Sequence, residues 1–303
     1  MLVLLAALVL LLVVPPARAE QVVIVREMHT PPEMPFGGKT RIIERSEGRK
    51  LREDQTTTTN TPPPDSLESG EARRIPEPDE MTAIWFPGEG TWRMWGPKPK
   101  DFEEITPAEL AASLKDDSMG GLEEFFGTRE SLVSEIEFAV DSSGAAQTIA
   151  GLLARPYVAR GLIRFHELES DFGDSIRFAR EVWIVPEIPG VSGALPKPQE
   201  RPSAIMGKVI TAMQSLMLPI LKEASHRLDE QVARMPGQIL RDEFRLEPTG
   251  RTPAGAQSLA LYHTEVLEIR REPSRPDAFR VPPGLHKRVP AAPTIKESAP
   301  RRR

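Results

Sequence analysis

The chain contains no cysteine, and that absence excludes several classes of protein at once. Without thiols there is no disulfide scaffold, no thiolate nucleophile, no cysteine-ligated zinc and no iron–sulfur cluster. A lipid-modified cysteine is excluded as well, so the chain is not a bacterial lipoprotein.

An excess of one charge is also lacking. With 39 basic and 44 acidic residues the formal net charge is −5, which fits neither a nucleic-acid binder nor an acidic disordered tail. Proline, by contrast, is plentiful, with 31 among 303 residues, about twice the usual share. Hydrophobic residues make up 39 %, enough for a sizeable core. We therefore expect a globular protein that does not bind nucleic acid.

Long apolar runs are scarce, and the clear one lies at residues 1–14. Two prolines end it, and a small-x-small motif follows at 17–19. As a helix the run spans about 21 Å, too short for a bilayer core of about 30 Å. We predict a signal peptide over 1–19, cleaved after Ala19, and a periplasmic or secreted protein without a stable membrane span. The alternative is an uncleaved anchor or a buried helix.

Short segments rich in β-branched and aromatic residues predict strands towards both ends of the chain. The clearest hairpin joins 81–86 to 91–95 through a glycine-containing turn. Residues near 55–80 have almost no apolar content and predict a mobile loop, and 289–303 predict a disordered tail. The other predicted strands cover 21–26, 39–44, 50–54, 134–140, 154–165, 175–185, 238–246 and 258–269.

Two helices are predicted between the strands. Thr106 and Glu109 have the spacing of a capping box, with proline at the first helical position. Residues 203–235 carry apolar side chains at three-four spacing, which predicts a long helix kinked by Pro219. Since no βαβ alternation occurs, we expect an α+β class. The expected architecture is one domain over 20–288, a curved antiparallel sheet (a half-barrel) with helices covering its concave face.

Three short motifs resemble a known superfamily. The first is the hairpin 81–95 with the basic and acidic stretch 98–105 and the Thr-Pro helix start. The others are REVWIVPEIPG at 180–190 and FRVPPG at 279–284. Together they resemble domain-of-unknown-function families of periplasmic proteins in the LolA-like (lipoprotein-carrier-like) superfamily.

That resemblance implies a strongly curved open sheet with helices over its concave side. Some members of the superfamily bind acyl chains or lipoproteins in that hollow, and others are sensor domains. The families share shape more than a residue signature, so no ligand residue carries over. The 55–80 loop and the 203–235 helix are longer than the resemblance leads one to expect.

No residue pattern points to catalysis, a metal or a cofactor. The five histidines do not fall at ligand spacing, and there is no HExxH motif. Adjacent carboxylates such as Glu103 and Glu104 point different ways and do not form an acid/base pair. Neither a nucleophile elbow nor a phosphate-binding loop occurs. We assign no catalytic, metal or cofactor residue and expect a protein that is not an enzyme.

The candidate ligand-binding residues are apolar. Methionine adapts to irregular apolar partners, and a methionine stripe runs along the predicted long helix. With Pro219 as a hinge, that helix could cover an apolar pocket, and tryptophans of the hairpin could pair across the turn and line its mouth. Ordinary core packing is the alternative for both. The candidates are Met206, Ile210, Met213, Met217, Leu221, Trp85 and Trp95.

These observations lead to one hypothesis and two alternatives. The hypothesis is an exported, non-catalytic protein that binds an apolar ligand, or a lipidated or envelope partner, between sheet and helix. The first alternative is a structural or sensor module whose core is filled by its own side chains. The second is a periplasmic hydrolase with no recognisable motif.

Overall fold

A computed structural model describes most of the predicted domain. Residues 1–19, with the predicted signal peptide, and 289–303, with the predicted tail, lie outside the described residues. The described residues are 20–31, 37–59, 79–97, 99–113, 133–165, 175–191, 195–196, 200–203, 228, 230–232, 234–248 and 259–288.

The described residues form thirteen strands, most of them where β-branched and aromatic residues alternate with polar ones. The hairpin prediction is confirmed by β4 and β5. The bounds are β1 Glu20–Thr30, β2 Gly38–Glu47, β3 Lys50–Thr59, β4 Asp79–Phe86, β5 Thr91–Trp95, β6 Asp101–Ile105, β7 Val133–Asp141, β8 Gln147–Ile149, β9 Leu152–Phe165, β10 Ser175–Val185, β11 Gln238–Pro248, β12 Leu259–Pro273 and β13 His286–Lys287.

All thirteen strands belong to one sheet. Its order is β13-β6-β5-β4-β3-β2-β1-β12-β11-β10-β9-β7, and β8 pairs with β9 beside this path. Only the short β13–β6 pair is parallel among the described ladders. The first described strand, β1, therefore lies near the middle of the sheet, paired with β12 from the C-terminal part of the sequence.

The expected α+β class is wrong, because the structure is mostly β. Among the described residues the helices are α1, Pro107–Ser113, and a 3-10 helix, Pro276–Phe279, with further helical residues at 202–203, 228, 230–232 and 234. Helices do not cover a face of the sheet there, since α1 has only seven residues. The physical reason is strand length: segments with β-type patterning extend into strands of up to 15 residues, which take up most of the described residues.

The Thr-rich part of the predicted loop near 55–80 belongs to strands. β3 runs to Thr59 and β4 begins at Asp79, so only 60–78 remain of that loop, and they lie outside the described residues. Threonine favours a pleated, half-buried surface, and Thr40 of β2 meets Thr57 of β3 with 3.1 Å between their hydroxyl oxygens. The predicted end of β3 is therefore too early, because the prediction relied on the low hydrophobicity of this stretch as evidence of a loop.

Directly paired residues of neighbouring antiparallel strands share one face of the sheet. We call the side that carries Glu44 and Glu53 face A, and the opposite side, which carries Arg45 and Asp54, face B. The connection after β10, residues 186–203, packs on face A through Ile188 and Leu195.

Two apolar clusters form the core on face A. One centres on the middle of the sheet and includes Ile24, Leu240 and Val266. The other joins Leu51, Ala83 and Trp92 of β3–β5 to Leu110 of α1 and to Leu195. Ile188 belongs to the first cluster and Leu195 to the second, so the 186–203 connection packs against β1 and against β3–β5 of the N-terminal half.

Within the described part of the chain, no helix has the length and apolar character needed to cross a bilayer.

Candidate functional site

Two buried carboxylates lie opposite each other on face A. Glu44 of β2 is the direct register partner of Glu53 of β3, and their exposed fractions are 4 % and 0 %. Arg201 donates from Nη1 to Oε2 of Glu44 at 2.7 Å and from Nε to the carbonyl of Pro196 at 3.0 Å. Ser203 donates its backbone N–H and its hydroxyl to the carboxylate of Glu53, both at 3.1 Å. The strand pair is therefore tied to the 195–203 connection through charged groups.

The environment of Glu53 favours its neutral form. Burial raises its pKa, the Glu44 carboxylate raises it further, and Arg201 with the two Ser203 bonds lowers it; the result is a pKa of about 7. Like charges at a directly opposed pair of strand positions destabilise each other, so Glu53 takes up a proton more readily than an ordinary glutamate. The site therefore changes charge near neutral pH.

Arg26 extends the cluster towards the centre of the sheet. Its Nε lies 3.4 Å from Oε1 of Glu44, and its Nη1 donates to the carbonyl of Ile239 at 3.3 Å. Further along the same face, Arg180 makes a bidentate pair with Asp242, at 3.0 and 2.8 Å. Face A is consequently not uniformly apolar, because it carries two ion-pair clusters between its apolar patches.

The segment 203–235 is attached to face A at both of its described ends. Ser203 is bonded to Glu53 of β3, while Val232 packs with Val182 and Ile184 of β10. The two attachments are five strand spacings apart, about 24 Å along the sheet. Both attachments lie on face A, because a row of direct register partners crosses the sheet from Val182 of β10 to Thr57 of β3, the strand that also carries Glu53. The partners in between are Asp242, Thr264, Met28 and Thr40.

Most of the predicted ligand-binding residues cannot be placed against these attachments. The methionine stripe and its hinge lie in residues 204–227, which are outside the described residues, as is the middle of the predicted long helix. The residues concerned are Met206, Ile210, Met213, Met217, Leu221 and Pro219.

The expected pairing of Trp85 with Trp95 is wrong. Trp85 is the register partner of Trp92, with ring centroids 5.4 Å apart, and both lie on face A. Trp95 is opposite Thr82 and points to face B, where it is 9 % exposed. The reason is the four-residue turn, which sets the register so that positions 85 and 92 face each other.

Trp92 belongs to the same group of hairpin tryptophans but is not among the predicted ligand-binding residues. It is fully buried, and its indole Nε1 donates to the carbonyl of Glu200 at 3.1 Å. It therefore fixes the 195–203 connection beside Arg201. The signal available in the sequence was the odd spacing of Trp92 and Trp95, which places one of them on each face.

Two histidines meet across strands that are more than 200 residues apart in sequence. His29 of β1 is the register partner of His263 of β12, with ring centroids 6.5 Å apart on face B. Glu27 lies 2.6 Å from His29, and Glu265 lies 3.4 Å from His263. Among the described residues no group of three or more such side chains has the arrangement to hold a metal ion.

Searches with protein-family models and among curated proteins find no significant match to this chain. The resemblance to the LolA-like superfamily therefore stays a hypothesis carried by the three short motifs.

Proposed function

We propose that this chain is an exported, non-catalytic binding protein. Its ligand would be an acyl chain, free or attached to a partner, held between face A and the methionine-rich segment 203–235. Burial of an acyl chain is favourable by about 0.8 kcal/mol for each methylene, so a modest apolar surface is enough for useful affinity.

The observation that carries this proposal is the double attachment of the segment. Its first residue, Ser203, is bonded to β3, and Val232 packs on β10 of the same face. The chain between Ser203 and Val232 is long enough to span about 24 Å with length to spare for enclosing an acyl chain. Methionine side chains in that stretch suit an irregular apolar partner.

The position at which β1 begins supports the proposed export of the protein. The strand begins at Glu20, the residue that follows the predicted cleavage site after Ala19. Cleavage there leaves the described ladder with β12, from the pair Glu20 and Pro273 onwards, intact. Intact mass of the protein recovered from the periplasm of a bacterial host tests this directly, and a chain still carrying residues 1–19 contradicts it.

Extraction followed by a binding titration tests the ligand. The protein purified from the periplasm is extracted with organic solvent for lipid mass spectrometry, and the delipidated protein is titrated with the fluorescent fatty acid cis-parinaric acid. We expect a co-purifying lipid and saturable fluorescence. A clean extract together with no saturable signal contradicts the proposal and favours a core filled by the protein's own side chains.

A matched pair of variants locates the site. Met213→Asp introduces a charge into the predicted stripe and should weaken the fatty-acid signal at least tenfold, because an unpaired carboxylate opposes burial of the chain. Leu267→Asp is the control, since Leu267 is half exposed. Equal binding by both variants would place the ligand away from the 203–235 segment.

A further inference from the structure

A polar cleft lies on face B, on the opposite side of the sheet from the proposed apolar site. Its volume is about 550 Å³, within the usual range for small-ligand sites. β2 and β3 form one wall, and the end of β12 with the 3-10 helix forms the other. The cleft is lined by Arg45, Arg52, Asp54, Ser274, Arg275, Asp277 and Ala278.

The cleft holds three guanidinium groups and two carboxylates, and its acceptors are already engaged. Asp54 accepts hydrogen bonds from Arg45, from Arg52 at 2.7 to 3.0 Å, and from the hydroxyl of Thr82 at 3.0 Å. Asp277 accepts from Arg280 at 3.4 Å. The two carboxylates therefore leave one of the three positive charges of the cleft lining uncompensated.

The arginine donors are not all engaged within the described residues. Arg52 uses Nε and Nη2 on Asp54 and Nη1 on the carbonyl of Ala278, at 3.0 Å. Arg45 uses Nη1 on Asp54, and its Nε and Nη2 have no described acceptor. Arg275 lines the cleft and is exposed, and no hydrogen bond of its side chain is described; its positive charge contributes to lowering the pKa of Glu272.

Guanidinium donors that line an open cleft are suited to an anion with several acceptor oxygens. Arginine binds carboxylates and phosphates through paired N–H groups, and charge-assisted hydrogen bonds are the stronger ones. Asp54 orients Arg45 and Arg52, so it acts as a positioning residue. We propose that this cleft binds a small molecule through an oxyanion group, phosphate or carboxylate, held between Arg45 and Arg275.

Calorimetric titration of the mature protein at low salt tests the cleft, with glycerol 3-phosphate as the phosphate probe and succinate as the carboxylate probe. We expect saturable binding of at least one probe at millimolar or lower concentration. Arg275→Gln should weaken it about tenfold or more, through loss of a charge-assisted contact. Because Arg275 is exposed, this variant is expected to fold normally.

Arg271→Gln is the matched control, since Arg271 is exposed, lies close to Arg275 in sequence, pairs with Glu20 and does not line the cleft. It should leave binding unchanged. Equal losses in both variants would show diffuse charge attraction and overturn the site, as would the absence of binding by either probe. Fatty-acid binding on face A is unaffected in either case, so this proposal and the proposed function fail separately.

Discussion

At the residue scale, the buried pair Glu44 and Glu53 makes the stability of the protein depend on pH. Glu53 has a folded-state pKa of about 7, above its ordinary value of 4.5. The folded state therefore binds this proton more tightly than the unfolded chain does. The resulting stabilisation is complete below about pH 4.5 and is lost as the pH rises through 7.

We predict that Glu53→Gln flattens this dependence. The amide resembles the protonated acid, so the variant should match the original protein near pH 5 and be more stable near pH 8, by up to a few kcal/mol. Urea unfolding at the two pH values measures the difference. Glu103→Gln, at an exposed carboxylate, is the control and should not change the pH dependence. Parallel curves for the original protein and Glu53→Gln would contradict the prediction.

Arg201 is expected to be the most sensitive charged residue on face A. Arg201→Met removes the 2.7 Å partner of Glu44 and leaves a buried carboxylate undercompensated, which costs about 3–5 kcal/mol of unfolding free energy. Adding Glu44→Gln should recover part of that loss, as a double-mutant cycle in urea will show. Arg288→Met breaks an exposed pair with Glu103 and should cost under about 1 kcal/mol. Similar losses for Arg201→Met and Arg288→Met would refute the assignment.

At the element scale, β9 and β10 fit together through a glycine under an aromatic ring. Gly161 is the register partner of Phe178, whose side chain is 1 % exposed. A Cβ built on Gly161 would lie 1.9 Å from Cζ of Phe178. The strand pair therefore requires the absence of a side chain at this position, and the sequence pattern alone shows only a glycine within a strand.

We predict that Gly161→Ala destabilises the protein by about 1–3 kcal/mol, because Phe178 must leave a closely packed position. A lower melting temperature in thermal unfolding measures the effect. Gly88→Ala is the control, since a Cβ there meets nothing within 4 Å and its φ is not positive. If both variants melt at the same temperature, the ring does not pack over Gly161 as described.

Local sequence signals located the elements that depend on local contacts. The capping box is confirmed, with Thr106 and Glu109 exchanging side-chain and backbone hydrogen bonds at 2.8 to 3.1 Å. The hairpin β4–β5 is confirmed because its turn and both strands are contiguous in sequence. Strand content was underestimated, since the β ladders run beyond the apolar segments that predicted them, as β3 does to Thr59.

Long-range register could not be read from the sequence. Alternation of period two assigns residues to faces but does not say which strand pairs with which. The pairing of His29 with His263 therefore had no local signal. The same holds for the contact of Arg201 with Glu44, although Glu44 and Glu53 could have been paired by folding β2 back on β3 across a two-residue turn.

At the scale of the whole molecule, the sheet order divides the chain into two parts that meet at its centre. Strands β1–β6 come from residues 20–105, and β7–β12 come from 133–273. The parts are joined by the β1–β12 ladder, by the β6–β13 pair and by the 186–203 connection. That connection brings Leu195 to Leu51 and Trp92, and Arg201 to Glu44, so the contact is both apolar and ionic.

We predict that two separately encoded fragments, 20–132 and 133–303, assemble when they are co-expressed. Each fragment alone exposes the edge of β1 or β12, which lacks its ladder partner and carries much of the apolar core. Pull-down through a tag on one fragment measures assembly. Val23→Pro, which removes a backbone donor from β1 and places a ring in the ladder opposite Arg270, should abolish it, whereas Leu153→Ser, at an exposed position of β9, should not. Fragments that remain separate and soluble would show that the two parts fold without this central ladder.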